Sequence, residues 1–464
     1  MSKMSNKIYM AEESSKFIRE YFFVLGKNNK LSILEILNYL KNNNFEVLNF
    51  RYNDEILTIK IKSENELNYK QAISDLGGTI KIGNIIADVA SLNAKNTAEF
   101  LNSYLAEFTR IFFGISYFDL DKQNQGNFNI KKFGLEIKNE LKELEKSCRF
   151  VDSNEYNLSS VTVAKNKLLH ENGFEIVIVK SNNNYLIGRT FVVQDFEDYG
   201  DRDFGRPNRD SHSGMLPPKL CKMMINLTNG NKDNLVLDPF CGSGTMLQEL
   251  VLLNYKNIIG TDLSIKAIED SFINIKWLLD RKNIKSENSK INLENDKIKV
   301  NNLIKFENKI LNIFNFDVQF LQDIFENNSI DTIIAEPYLG PNNININNEY
   351  QIKTVIKELE DLYKKAFYSF SKILKPKGEI IIIFPVFKFE ANKKISFFKL
   401  NILNDISEMQ FKKINFNDSI NIKENLNISI DNLNKDLQKN DFSNIMYFRA
   451  DQKIYREIYK FVKI

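Results

Sequence analysis

One stretch, Leu235-Val-Leu-Asp238-Pro239-Phe240-Cys241-Gly242-Ser243-Gly244-Thr245, limits the folds open to this chain more than any other. An apolar run ends in the acid Asp238, and two glycines one residue apart allow the backbone to turn sharply and to approach a ligand closely. Apolar residues then recur at helical spacing from Met246 onwards. The pattern predicts a strand, a tight loop and a helix.

A second short buried strand is predicted at 257–262, and it ends in a second acid, Asp262. A strand, a helix and a strand in this order form a βαβ unit. A carboxylate at the tip of the second strand can accept hydrogen bonds from both hydroxyls of a ribose. The sequence therefore predicts a nucleoside site at the ends of these two strands.

The loop itself indicates which nucleoside is bound. A dinucleotide loop has the pattern G-x-G-x-x-G and meets a pyrophosphate with a helix N-terminus. Here Leu247 stands in the place of the third glycine, and Asp238 would repel a diphosphate. S-Adenosylmethionine fits better, because it has no phosphate and carries a positive ammonium and a positive sulfonium.

Composition limits the remaining possibilities. The 464 residues suffice for about two to four domains. The formal net charge is only +3, so a polyanion must be bound by a local patch. Three cysteines without paired spacing and two histidines predict a reduced, cytoplasmic protein with no metal site. No apolar run has the length of a signal peptide at the N-terminus or of a membrane span elsewhere.

The first 190 residues alternate predicted strands and helices. Ser32-x-x-Glu35 resembles a capping box, which predicts the start of a helix. A later amphipathic helix carries Lys138 and Lys142 beside its apolar face, and these lysines either lie on a solvated face or contact an RNA backbone. The predicted strands of this region are 21–26, 56–61, 76–82, 110–117, 149–151, 159–163 and 174–179.

A polar segment of alternating charge follows and leads to Met215-Leu216-Pro217-Pro218, whose prolines delay the next helix until Lys219. Basic residues are denser here than anywhere else near the predicted site. We therefore predict phosphate contacts for a basic cluster in this part of the chain. Its members are Arg206, Arg209, Lys219 and Lys222.

A third strand is predicted at 316–321. A later apolar strand, 330–335, leads into Glu336-Pro337-Tyr338-Leu339-Gly340, and a helix is predicted at 349–374. Methylation of an exocyclic amine is difficult because the nitrogen lone pair is delocalised into the ring. Groups that accept the N–H bonds of the amine raise its electron density and aim its lone pair. Glu336 and the rigid turn after Pro337 can supply such acceptors, and Tyr338 can stack on an unpaired base.

These motifs resemble known families. The cofactor loop is similar to the first motif, D-P-x-C-G-S-G-T, of class I methyltransferases that modify exocyclic amines of bases. Phe113-Gly-Ile-Ser-Tyr117 and Leu186-Ile-Gly-Arg-Thr190 resemble parts of a THUMP domain preceded by its ferredoxin-like partner. With Arg202-Asp-Phe-Gly-Arg-Pro207 and the Met-Leu-Pro-Pro segment, nearly the whole chain resembles the archaeal and eukaryotic tRNA guanosine N2-methyltransferases acting at position ten of tRNA. Only 281–312 and 390–440 have no clear counterpart.

The resemblance implies an α/β fold in which a class I Rossmann-like methyltransferase domain is preceded by an α+β ferredoxin-like plus THUMP region. The implied divisions are an N-terminal ferredoxin-like domain at 1–90, a THUMP RNA-binding domain at 91–190, a linker at 191–214 and an S-adenosylmethionine-dependent methyltransferase domain at 215–464.

The resemblance also assigns roles. It implies that Met215, Leu216 and Pro217 pack against the adenosine, and that Asp323 accepts a hydrogen bond from the adenine amino group while Ile324 flanks the ring. The predicted cofactor residues are Met215, Leu216, Pro217, Asp238, Pro239, Gly242, Gly244, Thr245, Asp262, Leu263, Asp323 and Ile324. The predicted catalytic residues are Glu336, Pro337 and Tyr338.

The acceptor loop departs from the family pattern of Asp or Asn followed by Pro-Pro-Tyr or Pro-Pro-Phe. In Glu336-Pro337-Tyr338 the acid is one methylene longer and the aromatic residue arrives one position early. Three functions stay open: a tRNA guanosine N2-methyltransferase, a methyltransferase of another exocyclic amine such as adenine N6, and a tRNA-binding subunit whose catalytic loop is degraded. The expected partner is tRNA, neither DNA nor a membrane is expected, and the need for a small activating subunit is left open.

Overall fold

A computed structural model describes residues 17–121, 128–153, 155–209, 215–289, 298–341, 343–391, 394–416, 445–448 and 452–464. The strands are β1 (Phe17–Leu25), β2 (Glu46–Tyr52), β3 (Ile56–Ser63), β4 (Thr79–Val89), β5 (Arg110–Asp119), β6 (Ser147–Val151), β7 (Gly173–Ser181), β8 (Asn184–Val193), β9 (Leu235–Asp238), β10 (Asn257–Asp262), β11 (Ser286–Ser289), β12 (Asn301–Phe306), β13 (Lys309–Asn315), β14 (Ile330–Ala335), β15 (Leu374–Ala391), β16 (Lys394–Lys399), β17 (Phe411–Ile414), β18 (Ile445–Tyr447) and β19 (Ile454–Lys463).

The helices are α1 (Asn29–Asn42), α2 (Tyr69–Asp75), α3 (Ala94–Tyr104), α4 (Ile130–Glu143), α5 (Ser160–Lys165), α6 (Phe196–Gly200), α7 (Pro218–Asn226), α8 (Thr245–Leu252), α9 (Ile265–Arg281), α10 (Glu349–Ile373) and α11 (Leu403–Glu408). A π-helical turn covers Asp201–Gly205, and a 3-10 turn covers Val318–Asp323.

The N-terminal strands form one continuous mixed sheet in the order β2-β3-β1-β4-β8-β7-β5-β6. β4 pairs antiparallel with β8, for example at Ile82 and Val192, and β8 pairs in turn with β7. The hydrogen-bonded ladder therefore runs without interruption across the boundary near residue 90 at which the sequence suggested a division. The division into a ferredoxin-like unit and a THUMP unit stays a prediction about modules within this sheet.

The predicted strand at 159–163 was wrong, because residues 160–165 form helix α5. Three consecutive β-branched residues, Val161 to Val163, favour an extended chain. Ser159 overrides that preference: its side chain accepts a hydrogen bond from the N–H of Thr162 at 3.1 Å and caps the helix.

The C-terminal sheet has the order β11-β12-β13-β10-β9-β14-β15-β19-β17. β13, β10, β9, β14 and β15 are parallel, and β19 runs antiparallel between β15 and β17. The chain passes from β9 outwards to β10 and β13, and then returns to β14 on the other side of β9. This reversal opens a crevice at the carboxyl ends of β9 and β14, where ligands of doubly wound sheets bind. The predicted Rossmann-like fold is confirmed.

The two sheets share a hydrophobic core. Leu37 and Leu40 of α1 belong to the same buried cluster as Leu220 and Met224 of α7. The helix that precedes the methyltransferase sheet thus packs on the first helix of the N-terminal sheet. Among the helices that the structure describes, none is long and apolar enough to cross a membrane.

Candidate active site

A cavity of about 1020 Å³ lies at the carboxyl ends of the parallel strands. Asp238 ends β9, Asp262 ends β10 and Glu336 directly follows β14, and all three residues line the cavity. The cavity is at the upper end of the size range of small-molecule sites. It therefore has room for a nucleoside cofactor together with part of an acceptor.

The loop between β9 and α8 depends on its two glycines. Gly242 and Gly244 have φ values of +50° and +84°, in the left-handed region that favours glycine. The N–H of Gly242 donates to Oδ2 of Asp262 at 3.0 Å, which ties the loop to the tip of β10. A Cβ atom on Gly244 would lie 2.4 Å from Oγ of Ser271, so the loop also packs closely on α9.

Backbone donors hold the Asp262 carboxylate in place. Its Oδ2 accepts the Gly242 hydrogen bond, and its Oδ1 accepts one from the N–H of Ser264 at 2.9 Å. Burial raises the pKa of Asp262, and these two hydrogen bonds oppose the rise. An ionised carboxylate has about four acceptor positions, so capacity remains for the two hydroxyls of a ribose.

Asp238 is buried, and its Oδ1 accepts a hydrogen bond from the N–H of Phe240 at 3.1 Å. Burial raises the pKa of Asp238 well above its ordinary value, and the nearby carboxyl groups of Asp262 and Glu336 raise it further. Asp238 thus lies beside two further acids, and a positive charge among these acids would favour its ionised form. S-Adenosylmethionine, with its ammonium and sulfonium, has the charge that this arrangement requires.

Glu336 forms an ion pair with Arg456 of β19. The Nε of Arg456 donates to Oε1 of Glu336 at 2.5 Å, and the two side chains are only 8% and 12% exposed. Burial raises the pKa of Glu336, and the positive charge of Arg456 opposes this rise. The guanidinium thus favours the ionised carboxylate, which is the form that can accept hydrogen bonds from an amine.

Arg456 was not predicted from the sequence, although it lines the cavity. The available signal was the alternation of Ile454, Arg456, Ile458 and Lys460 along one face of β19. Two basic residues on an otherwise apolar strand face predict buried acidic partners. The partners are Glu336 for Arg456 and Glu379 for Lys460.

The acceptor loop after Glu336 lies at the rim of the cavity. Tyr338 lines the cavity and is 55% exposed, so its ring is accessible to a ligand. Gly340 has a φ of +104°, which turns the chain away after Leu339. Tyr363 of α10 lies behind the loop, and its hydroxyl donates to the carbonyl of Ile383 at 3.2 Å and lies 3.5 Å from that of Tyr338.

The prediction for Asp323 and Ile324 requires correction. Neither residue lines the cavity, whereas Asp317 and Val318 do. The prediction assumed a strand at 316–321, but β13 ends at Asn315 and residues 318–323 form a 3-10 turn. The acid and apolar residue that emerge at the strand end are therefore Asp317 and Val318.

Most other predicted cofactor residues come together. The cavity lining includes Met215, Leu216, Pro239, Gly242, Thr245 and Leu263. Pro217 and Gly244 do not line it: Pro217 is the residue before α7, and Gly244 is the residue before α8.

Two of the predicted phosphate-binding residues are buried. Arg206 and Lys222 are 3% and 4% exposed. Nη1 of Arg206 donates to Oγ1 of Thr245 at 2.5 Å, and Nζ of Lys222 donates to the carbonyl of Ser74 at 2.7 Å. These side chains fix the cofactor loop and the junction between the sheets, so the prediction of phosphate contacts was wrong for both.

The other predicted basic residues remain accessible in different degrees. Arg209 lines the cavity, and Lys219 is exposed and donates to Oε1 of Gln194 at 2.5 Å. On α4, Lys142 is exposed and Lys138 is half-buried. All four stay predictions for RNA contacts.

The cavity lies in a doubly wound sheet. It combines the glycine loop after β9 with Asp262 at the tip of β10 and Glu336 after β14. Together these features define an S-adenosylmethionine-dependent methyltransferase. The comparisons with known proteins agree. The model of the family described as DNA methylase matches residues 2–273, more than half of the chain, and the chain belongs to this family. Residues 206–393 also match the RMKL-like methyltransferase domain.

Two curated relatives are similar to the chain. The tRNA (guanine(10)-N2)-dimethyltransferase of Methanocaldococcus jannaschii is 24% identical over 328 residues, which cover 69% of this chain and 83% of the relative. The enzyme of the same name from Methanothermobacter thermautotrophicus is 28% identical over 97 residues, which cover 20% of this chain and 28% of that relative.

Two solved structures are also similar. TrmN from Thermus thermophilus has a TM-score of 0.48 and 11% identity, with 96% of this chain and all of that chain covered. A putative methyltransferase complexed with SAH has a TM-score of 0.42 and 11% identity, with 95% and 97% covered.

Proposed function

We propose that this protein transfers a methyl group from S-adenosylmethionine to the exocyclic N2 amine of a guanosine in tRNA, at position 10. One observation carries the proposal: Glu336 follows the acceptor strand and lines the same cavity as Asp262 at the tip of the cofactor strand. The names of the two curated relatives support the choice of tRNA, guanine and position.

The residues present fit the cofactor. Asp262 accepts hydrogen bonds from the ribose hydroxyls, while Met215, Leu216 and Val318 provide apolar surface for the adenine. Asp317, which also lines the cavity, accepts a hydrogen bond from the adenine amino group in this proposal. When bound, S-adenosylmethionine supplies an electrophilic methyl group.

Glu336 and Tyr338 act on the acceptor. The ionised carboxylate of Glu336 accepts a hydrogen bond from the amine, which raises the electron density on nitrogen and aims its lone pair at the methyl carbon. Tyr338 stacks on the base after it has left its helix. With S-adenosylmethionine bound, the methyl group would pass directly to the amine with no covalent bond between enzyme and RNA, and Glu336 would take the proton that the amine releases late in the reaction.

The N-terminal sheet holds the tRNA outside the target loop. Lys142 and Lys138 of α4 contribute to this surface, and Arg209 and Lys219 contact phosphate near the cavity. Phosphate contacts of this kind fix orientation without reading sequence. In this proposal the N-terminal unit selects the RNA, and the cavity selects the base.

The test is methyl transfer from labelled S-adenosylmethionine to an unmodified tRNA transcript by the purified chain alone, with mass spectrometry of the nucleosides. We expect N2-methylguanosine or its dimethylated form, and we expect it to disappear when guanosine 10 is replaced by adenosine. N6-Methyladenosine would assign the adenine alternative. Binding of tRNA without transfer would favour a binding subunit or a requirement for an activating partner.

A further inference from the structure

The Glu336–Arg456 ion pair uses only part of its hydrogen-bonding capacity. Nε of Arg456 and Oε1 of Glu336 bind each other at 2.5 Å. Within the described ranges, Oε2 of Glu336 and the two Nη atoms of Arg456 make no hydrogen bond, although both residues line the cavity. A carboxylate acceptor and guanidinium donors are thus available side by side to a ligand.

Because Arg456 binds Oε1 of Glu336, the groups follow one another as Oε2, Oε1 and the guanidinium, which is the order acceptor, acceptor, donor. Oε1 still has a free lone pair after it binds Arg456, because each carboxylate oxygen can accept about two hydrogen bonds. The Watson–Crick edge of guanine presents the complementary order, with N2–H and N1–H as donors and O6 as acceptor. RNA bases that have left their helix are commonly read on this edge.

We propose that Glu336 and Arg456 together read the Watson–Crick edge of guanine, which makes Arg456 a specificity-determining residue. Glu336 accepts from N2–H and N1–H, and Arg456 donates to O6. The inference rests on the proposed function and assigns its base selectivity to a pair of residues. It also gives a role to the longer acid, since the Glu336 carboxylate reaches Arg456 of β19, two strands away from β14 in the sheet.

Adenine does not satisfy this pair. Its N1 has a lone pair where guanine has N1–H, so this lone pair would face the carboxylate. Its 6-position carries an amino donor where Arg456 requires an acceptor. A buried polar site rejects a ligand that leaves its groups unpaired more strongly than it rejects a ligand of slightly different size. A wrong base at one bidentate contact costs about 10- to 100-fold in rate or affinity.

Arginine suits this position for a geometric reason. Its planar fork can bind Oε1 of Glu336 through Nε and still present Nη donors in the same plane. A lysine carries its three donors on one freely rotating nitrogen, so it does not fix the carboxylate and a base oxygen in a rigid plane. Since the side chains are only 8% and 12% exposed, water is poorly placed to replace either partner.

The experiment compares guanosine with 2-aminopurine at the target position of the same tRNA transcript. 2-Aminopurine keeps the N2 amine but lacks O6 and N1–H. The values of kcat/KM are measured for the wild type, Arg456→Gln and Arg456→Lys. The preference for guanosine is the ratio of kcat/KM for guanosine to kcat/KM for 2-aminopurine. The two amines differ in intrinsic reactivity, but this difference is the same for the wild type and the variants, so it cancels when their preferences are compared. Lys399→Gln is the matched control. It removes an ion pair with Glu457, the residue after Arg456 on β19, and Lys399 does not line the cavity.

We expect the wild type to prefer guanosine by about 100-fold, and we expect this preference to fall about tenfold or more in Arg456→Gln, with Arg456→Lys between them. Lys399→Gln should keep the wild-type preference. Binding of S-adenosylhomocysteine checks that each variant is folded, and Arg456→Lys decides by the same ratio if Arg456→Gln does not fold.

Two results would overturn the inference: a wild type that methylates 2-aminopurine as well as guanosine, or an unchanged preference in a folded Arg456 variant. Both leave the proposed function intact, because guanosine is still methylated. A wild type that transfers nothing to guanosine tRNA would instead contradict the proposed function itself.

Discussion

At the scale of single residues, the acids at the strand ends could be predicted from the sequence. Asp238, Asp262 and Glu336 each follow an apolar run, and the carboxyl ends of parallel strands meet at one edge of a sheet. Their common cavity follows from that rule. Arg456 and Asp317 could not be found in this way, because their positions depend on where β19 and β13 begin and end.

The role of Asp262 gives a first prediction. Asp262→Asn should weaken S-adenosylhomocysteine binding by at least about tenfold, since it removes a charged acceptor for the ribose and places an NH₂ group against a backbone N–H of Gly242 or Ser264. Isothermal titration calorimetry measures the change. Asp233→Asn, at an exposed ion pair with Lys256, is the control and should bind normally. Unweakened binding by folded Asp262→Asn would exclude a ribose contact.

At the scale of elements, the strongly periodic segments were predicted well. α10 covers Glu349–Ile373, one residue short of the helix predicted at 349–374. The errors lie where a local contact outweighs a pattern. Ser159 turns a β-branched segment into α5. The strand expected at 316–321 is replaced by β13, which covers Lys309–Asn315 because these residues pair with both β10 and β12.

The cofactor loop gives a prediction at this scale. Gly242→Ala and Gly244→Ala both place alanine at positive φ, which costs about 1–2 kcal/mol each. Only the Gly244 substitution also meets a neighbour, at 2.4 Å from Oγ of Ser271, whereas nothing lies within 4 Å of a Cβ on Gly242. Gly244→Ala should therefore be less stable than Gly242→Ala by roughly a further 1–3 kcal/mol.

Chemical denaturation of the two variants in parallel measures this difference. Equal free energies of unfolding would mean that Ser271 moves aside at no cost, and the close packing of the loop on α9 would then have no energetic weight.

At the scale of the whole molecule, one buried acid joins the two halves. Oε1 of Glu35 accepts hydrogen bonds from the N–H of Gly77 and from the side chain of Asn226, both at 2.7 Å, and Oε2 accepts one from the N–H of Gly78 at 2.8 Å. The sequence suggested a capping box, but α1 begins at Asn29, after Asn28. Glu35 therefore lies inside α1 and faces α7, a contact between distant segments that no local pattern reveals.

Glu35 makes the stability of the junction depend on pH. Burial raises the pKa of Glu35 to about 7, against an ordinary value of 4.5. A raised carboxyl pKa means that the folded state binds more protons between these two values, so stability is greatest below about 4.5 and falls as pH rises towards about 7. Glu35→Gln lacks this titration.

We define the gap as the Tm of the wild type minus the Tm of Glu35→Gln. This gap should be smaller at about pH 8 than at about pH 5, by about 2 °C or more. Differential scanning calorimetry at both pH values measures the two gaps. Glu99→Gln, at an exposed position of α3, is the control for the same substitution away from the junction. Equal gaps between the wild type and Glu35→Gln at the two pH values would show that Glu35 does not titrate in this range.

The central claim is that Glu336 acts on the acceptor amine in the cavity where Asp262 holds the cofactor. The most direct test is single-turnover methyl transfer to guanosine in tRNA at saturating S-adenosylmethionine, with the wild type and Glu336→Gln. We predict that Glu336→Gln binds the cofactor within about threefold of the wild type but transfers the methyl group at least about 100-fold more slowly. Transfer at the wild-type rate by Glu336→Gln would contradict the claim.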